Sequence, residues 1–203
     1  MTQHRLNNPE PRDEGAIMSR LVQRDDIVDY ATYEDLRAEL RTEAMATKVP
    51  RRIHVNEYLT FLFENRDTLR YQIQEIMRAE QIVRESDIVN EIDTYNAILG
   101  APGDLGCVLL IEIEEEKDRK PLLTRWLGLQ ERLYVKLDDG TKIYADFDPS
   151  QVGVDRLSAV QYLRFPVQGQ VPTAIGTDFA ELVTETALTA EQLQALTADL
   201  DRA

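Results

Sequence analysis

A chain of 203 residues, 43% hydrophobic and 30% charged, can bury a sizeable core without covalent staples and reads as one large domain or one domain with an appendage. Its 23 Lys and Arg against 37 Asp and Glu give a net charge of −14, which repels a phosphate backbone and argues against nucleic acid and anionic membranes as partners. One cysteine excludes an internal disulfide, and with two histidines it supplies too few ligands for structural zinc or an iron–sulfur cluster.

Residues 1–20 are rich in Asn, Pro, Arg and acids without periodicity and read as a mobile arm. Asp25 and Asp26 open a turn. Thr32 then caps a surface helix whose thin apolar stripe is Leu36, Leu40 and Met45, with acids early and Lys48 late as the helix dipole favours. Pro50 stops it. The stretch RRIHVNEYLTFLFEN reads as a hairpin, with Ile53 and Val55 alternating before a turn at Asn56 and Glu57, and Leu59, Phe61 and Phe63 after it. The second strand feeds directly into the stretch on which the rest of the chain is organised.

That stretch, FENRDTLRYQIQEIMRAEQI, is a helix capped by Asn65 or Asp67, with Leu69, Ile73, Ile76, Met77 and Val83 forming one apolar stripe. Its opposite side carries Arg70, Tyr71, Gln74, Glu75 and Arg78, spaced so that Arg70 reaches Gln74 and Glu75 reaches Tyr71 or Arg78. One reading of this face is a solvated helix surface. The sharper one is an anion-binding or partner-docking surface, in which Arg66, Arg70 and Arg78 offer planar forks and Glu75 orients one of them. Glu64 and Arg66 fall where a sheet edge meets a helix N-terminus, a place that favours an anion unless Glu64 itself satisfies it.

Ser86 caps a helix through Leu99, and Gly100, Pro102, Gly103 and Gly106 make a loop. The run from Cys107 to Ile113 reads as a central strand with a buried structural thiol, ending in the solvated acids Glu114, Glu115 and Glu116. Pro121 begins a helix carrying Trp126, and RLYVKLDDGTKIYADF is a hairpin turning at Asp139-Gly140. SAVQYLRFPV gives another strand. Residues 168–203 read as an acidic strand–helix extension packed on a core of 21–167, with LVTETAL as an edge strand and Thr189 and Gln192 as a capping box. The mixed order of strands and helices predicts an α+β fold, a single domain with a largely antiparallel sheet built from hairpins and flanked by helices.

Common catalytic templates fail on parts. The glycine cluster precedes a strand instead of joining strand to helix, no G-x-S-x-G elbow is present, and neither histidine follows a Glu at di-iron spacing. No metal or other cofactor is expected. What remains for catalysis is Glu75, paired with Glu64 or Asp93, working with Tyr71 and Arg70 on an anionic substrate. A third use of the face is burial against a second copy of the chain. No signal-peptide pattern or membrane-length apolar run is visible, which makes the cytoplasm the expected compartment.

The blocks LTFLFENRDTLRYQIQEIMRAEQI, EIDTYNAILGAPGDLGCVLLIEI, ERLYVKLDDGTKIYA and SAVQYLRFPV, in this order, resemble the bacterial family called domain of unknown function 3501. The resemblance runs from about residue 21 to the C-terminus and maps the family motif onto Glu64, Arg66, Arg70, Tyr71, Gln72, Glu75 and Arg78. It supplies no reaction. It implies association with rubrerythrin-like proteins and iron–sulfur oxidoreductases, hence a non-catalytic cytoplasmic accessory to a redox system, with any iron carried by the partner.

Overall fold

Local capping decides where the helices start. The computed structural model describes residues 19–149 and 153–202. The arm expected over residues 1–20 falls outside the described residues as far as 18. At its end Arg20 is buried, donating to the carbonyls of Leu99, Gly100 and Asp104. Helix α1 (Tyr30–Lys48) is capped by Asp29, not by Thr32, because a carboxylate answers both the free N–H groups and the helix dipole. It accepts from the N–H groups of Ala31 and Thr32 at 3.0 and 3.1 Å, and the Thr32 hydroxyl donates to its other oxygen at 2.6 Å. α1 is seated by buried Tyr33 and Ala44, while Leu36 and Met45 stay exposed.

A short turn carries the chain into strands β1 (Arg52–His54) and β2 (Leu59–Phe63), then α2 (Arg66–Glu80), α3 (Glu85–Asn96), a turn at Ala97–Leu99, and β3 (Leu105–Ile111). The acidic run predicted as a strand end instead opens α4 (Glu116–Arg125), with Glu116 and Asp118 in its first turn and Pro121 inside it. β4 (Leu133–Lys136) and β5 (Lys142–Tyr144) form the expected hairpin. β6 (Asp146–Phe147), β7 (Val160–Phe165), β8 (Ala174–Thr177), β9 (Thr184–Ala187) and α5 (Ala190–Leu200) complete the order. β8 was not legible as a strand: its four residues, AIGT, are all buried and show no alternation.

The strands make two sheets in the orders β1-β2-β3-β7-β6 and β5-β4-β8-β9, antiparallel at every pairing. This is an α+β single-domain fold. β5 and β6 belong to different sheets yet are separated by one residue, buried Ala145, whose N–H donates to Leu133 O at 3.0 Å. The register places Phe61, Leu109 and Gln161 in one row of the first sheet and Phe63, Cys107 and Leu163 in the next. Their inner face packs with Leu133, Val135 and Ile175 of the second sheet into the main core. A separate cluster gathers Leu69, Ile73 and Met77 of α2 with Ile88 and Ile92 of α3, and with Val22, Ile27 and Leu99. Each such fully buried aliphatic side chain stabilises by roughly 1.5–3 kcal/mol.

Candidate functional site

Asn65 starts α2. Its side chain accepts the Thr68 N–H at 3.0 Å and the Thr68 hydroxyl answers the Asn65 N–H at 2.9 Å, so only two residues separate the end of β2 from the helix. The stripe of Leu69, Ile73 and Met77 turns to α3, and the polar face turns to α1. Val83 lies past the helix and is 73% exposed.

α1 and the short turn before it (Arg24–Asp26) therefore supply the partners that the sequence placed along α2 itself. Arg66 forks onto Asp26, and Arg78 Nε donates to Glu34 at 2.6 Å. Glu75 accepts from Arg37 Nε and Nη2 at 2.8 and 2.9 Å and from the Tyr33 hydroxyl at 2.5 Å. Tyr71 Oη accepts from Arg41 Nη1 at 3.0 Å. A bidentate guanidinium–carboxylate pair across two helices outcompetes an exposed pair on one helix, which is worth only a few tenths of a kcal/mol. The Arg37 guanidinium and the Tyr33 hydroxyl hold the Glu75 carboxyl below the usual carboxylate range, against the opposing effect of its partial burial.

Glu64 and Gln72 lie elsewhere. Gln72 Nε2 donates to Glu64 Oε1 at 2.7 Å, and Glu64 Oε2 is buried with no partner among the described residues. Burial raises the Glu64 carboxyl, more than Lys48, Thr68, Gln72 and Arg51 lower it. The folded state thus holds a proton on Glu64 at pH values where the unfolded chain has lost it. The associated stability is fully present below the unfolded carboxyl's range and is lost as pH rises through the folded value. Glu64→Gln, which cannot ionise, is expected to raise neutral-pH stability by about 1 kcal/mol or more, the cost of keeping this carboxyl from its ordinary titration. Urea unfolding checks this, with the wild type closing the gap as the pH falls. Cys107 is also fully buried, and burial pushes its thiol well up, as for an inert core residue.

Between α1 and α2 lies a cleft of about 420 Å³, lined by Tyr33, Tyr71, Gln74, Arg70, Glu43 and Asp67 among others. Gln74 is committed to the backbone of Val28, accepting its N–H at 2.7 Å and donating to its carbonyl at 3.2 Å. Asp67 is paired with Arg202 at 3.1 Å. Arg70 makes no hydrogen bond or ion pair among the described residues. Arg41 and Lys48 likewise make no ion pair among the described residues: Arg41 holds the Tyr71 hydroxyl, and the Lys48 ammonium, whose charge is felt at Glu64, stands 5.9 Å from the Tyr71 ring centroid. Tyr71 is thus flanked by cations that make no ion pair among the described residues, in a chain whose net charge is −14. Sequence reasoning missed the α1 contributors, although Tyr33, Arg37 and Arg41 recur at four-residue steps, a signal that they share one helix face.

The profile of the family described as "Protein of unknown function (DUF3501)" matches residues 21–200. The chain belongs to this family. The DUF3501 chain is also similar to a protein from Burkholderia pseudomallei K96243, described as a novel protein of unknown function. The two are 28% identical, the match covers 89% of this chain and 99% of that one, and the TM-score is 0.80. No curated protein matches. Among the described residues of this DUF3501 member, no helix is long and apolar enough to cross a membrane.

Proposed function

We propose that this DUF3501 member is a non-catalytic binding protein whose α1–α2 cleft takes a small anion, a carboxylate or phosphate, on Arg70 with Arg41 and Lys48 nearby. The observation that carries the reading is the unpartnered Arg70 guanidinium in a concave site, where a half-buried charge is worth more than at the open surface. Acid–base catalysis by Glu75, Tyr71 and Arg70 is served less well. Both Glu75 oxygens are engaged and its carboxyl is shifted downward, whereas a general base works best with a pKa near the operating pH.

Thermal unfolding in the presence of inorganic phosphate or citrate tests the proposal. The wild type and Arg78→Ala are expected to gain midpoint with ligand, because Arg78 serves Glu34, whereas Arg70→Ala loses the response by about tenfold or more in ligand concentration. An unresponsive wild type, or an Arg70→Ala variant that responds equally, overturns it. The redox accessory role and the cytoplasmic setting implied by the family resemblance belong to the same proposal. A rubrerythrin-like or iron–sulfur partner would meet the outward side of α1 and the mouth of the cleft, since Arg66 and Arg78 are already paired within the chain.

A further inference from the structure

A second concavity, of about 580 Å³, lies between α2 and α3 on one side and the outer face of the first sheet at β7 and β6 on the other. Its apolar walls are Ile76 of α2, Tyr95 of α3, Ile98 of the following turn, and Phe147 and Tyr162 of the strands. Tyr162 shares a row of the outer face with Val108 and Leu62. Those two are 6% and 8% exposed, but Tyr162 is 42% exposed, so the covering that buries its row-mates stops short of it. The volume and the aromatic lining are those of a small-molecule site.

Charge selects the ligand. Among the described residues, Glu80, Glu91, Asp146 and Asp148 line the cleft against a single cation, Arg164, which is already held by Asp146 at 3.1 Å and Asp104 at 3.5 Å. The carboxylates of Glu80 and Glu91, offered by two different helices, make no hydrogen bond or ion pair among the described residues. Their field is felt at Tyr95, whose hydroxyl is pushed up first by burial and then by Tyr162, Glu91 and Glu80. An anion is repelled here, and a neutral apolar molecule would desolvate the carboxylates without answering them. A bare metal ion lacks its ligands, because no three His, Cys, Asp or Glu side chains among the described residues are grouped to hold one. Aromatic faces beside carboxylates attract an organic cation on both counts.

We infer that this cleft binds a small organic cation with an apolar body, an aromatic or alkyl amine, its charge answered by Glu80 and Glu91 and its body lying on Tyr95 and Tyr162. The site is separate from the α1–α2 cleft and selects the opposite charge.

Calorimetric titration of benzyltrimethylammonium into the full chain at low salt is expected to show binding, and phenylacetate, similar in size and opposite in charge, is expected to show none. Glu80→Gln/Glu91→Gln weakens the cation by about tenfold or more and leaves the thermal midpoint in place, since neither carboxylate makes a hydrogen bond or ion pair among the described residues. Tyr162→Ala weakens it by a similar factor. Arg70→Ala binds the cation as the wild type does, which separates this site from the anion cleft. The inference is overturned if the wild type does not bind benzyltrimethylammonium, if phenylacetate binds equally, or if the double variant retains wild-type affinity. A wild-type dimer in light scattering that Tyr162→Ala dissolves also overturns it, and assigns the cleft to a second copy of the chain.

Discussion

Asp199→Ala is expected to cost about 3–5 kcal/mol of stability, because it leaves a buried guanidinium without its counter-ion. Asp199 lies in the last turn of α5, and its carboxylate accepts from Arg51 Nε at 2.7 Å, Arg51 Nη2 at 2.8 Å and Asn65 Nδ2 at 2.9 Å. Arg51 and Asp199 are 7% exposed each, and Arg51 spends its remaining nitrogen on the Thr47 carbonyl at 2.7 Å. One carboxylate thus joins the C-terminal helix, the end of α1 and the cap of α2. Urea unfolding of Asp199→Ala beside Arg51→Met/Asp199→Leu separates the pair's net worth from the penalty of breaking it. The double variant should lie much closer to the wild type, since apolar replacement of a buried pair is often neutral. A loss below about 1 kcal/mol in the single variant would show that water reaches Arg51.

The second large effect is expected at Gly106 in β3. A Cβ there would stand 2.4 Å from the Ile98 carbonyl oxygen and 2.9 Å from Leu99 Cα, both backbone atoms of the turn that crosses the strand. Overpacking of this kind costs about 1–3 kcal/mol, and Gly106→Ala should fall at the upper end, because a backbone cannot step aside as a flexible side chain does. Ile98 is also a wall of the second cleft, so the same variant should change its affinity for benzyltrimethylammonium. Thermal unfolding with and without that ligand reads both effects, and an unchanged midpoint would rule out the close crossing.

The features legible in the sequence were those fixed within a few residues. The Thr189 and Gln192 capping box, the hairpin turning at Gly140 with its φ of +86°, and the alternation of Leu59, Phe61 and Phe63 are all local, and all appear where expected. Of the seven residues singled out on and before α2, Arg66, Tyr71, Glu75 and Arg78 meet α1 or the turn before it, whereas Glu64 and Gln72 pair with each other elsewhere, and the sequence did not show that division. Arg66 meets Asp26 and Glu75 meets Arg37 only because α1 and the turn before it lie alongside, and no spacing on one helix encodes the approach of another segment. The division into two sheets was hidden for a similar reason. β5 and β6 read as one alternating run, and only the pairing of Tyr144 with Tyr134 and of Asp146 with Arg164 shows that the strand changes sheets there.

That change of sheet bears on how the molecule comes apart. Tyr144 is bonded into one sheet and Asp146 into the other, so neither sheet can fray along this segment without pulling on its neighbour through a single covalent link. The first sheet is in turn closed by the pairing of β3 with β7, which are more than forty residues apart in the chain, so its order depends on contacts made late. Folding and opening are therefore expected to run as one cooperative event across both sheets, and the clefts that the sheets support persist or vanish together with the whole fold.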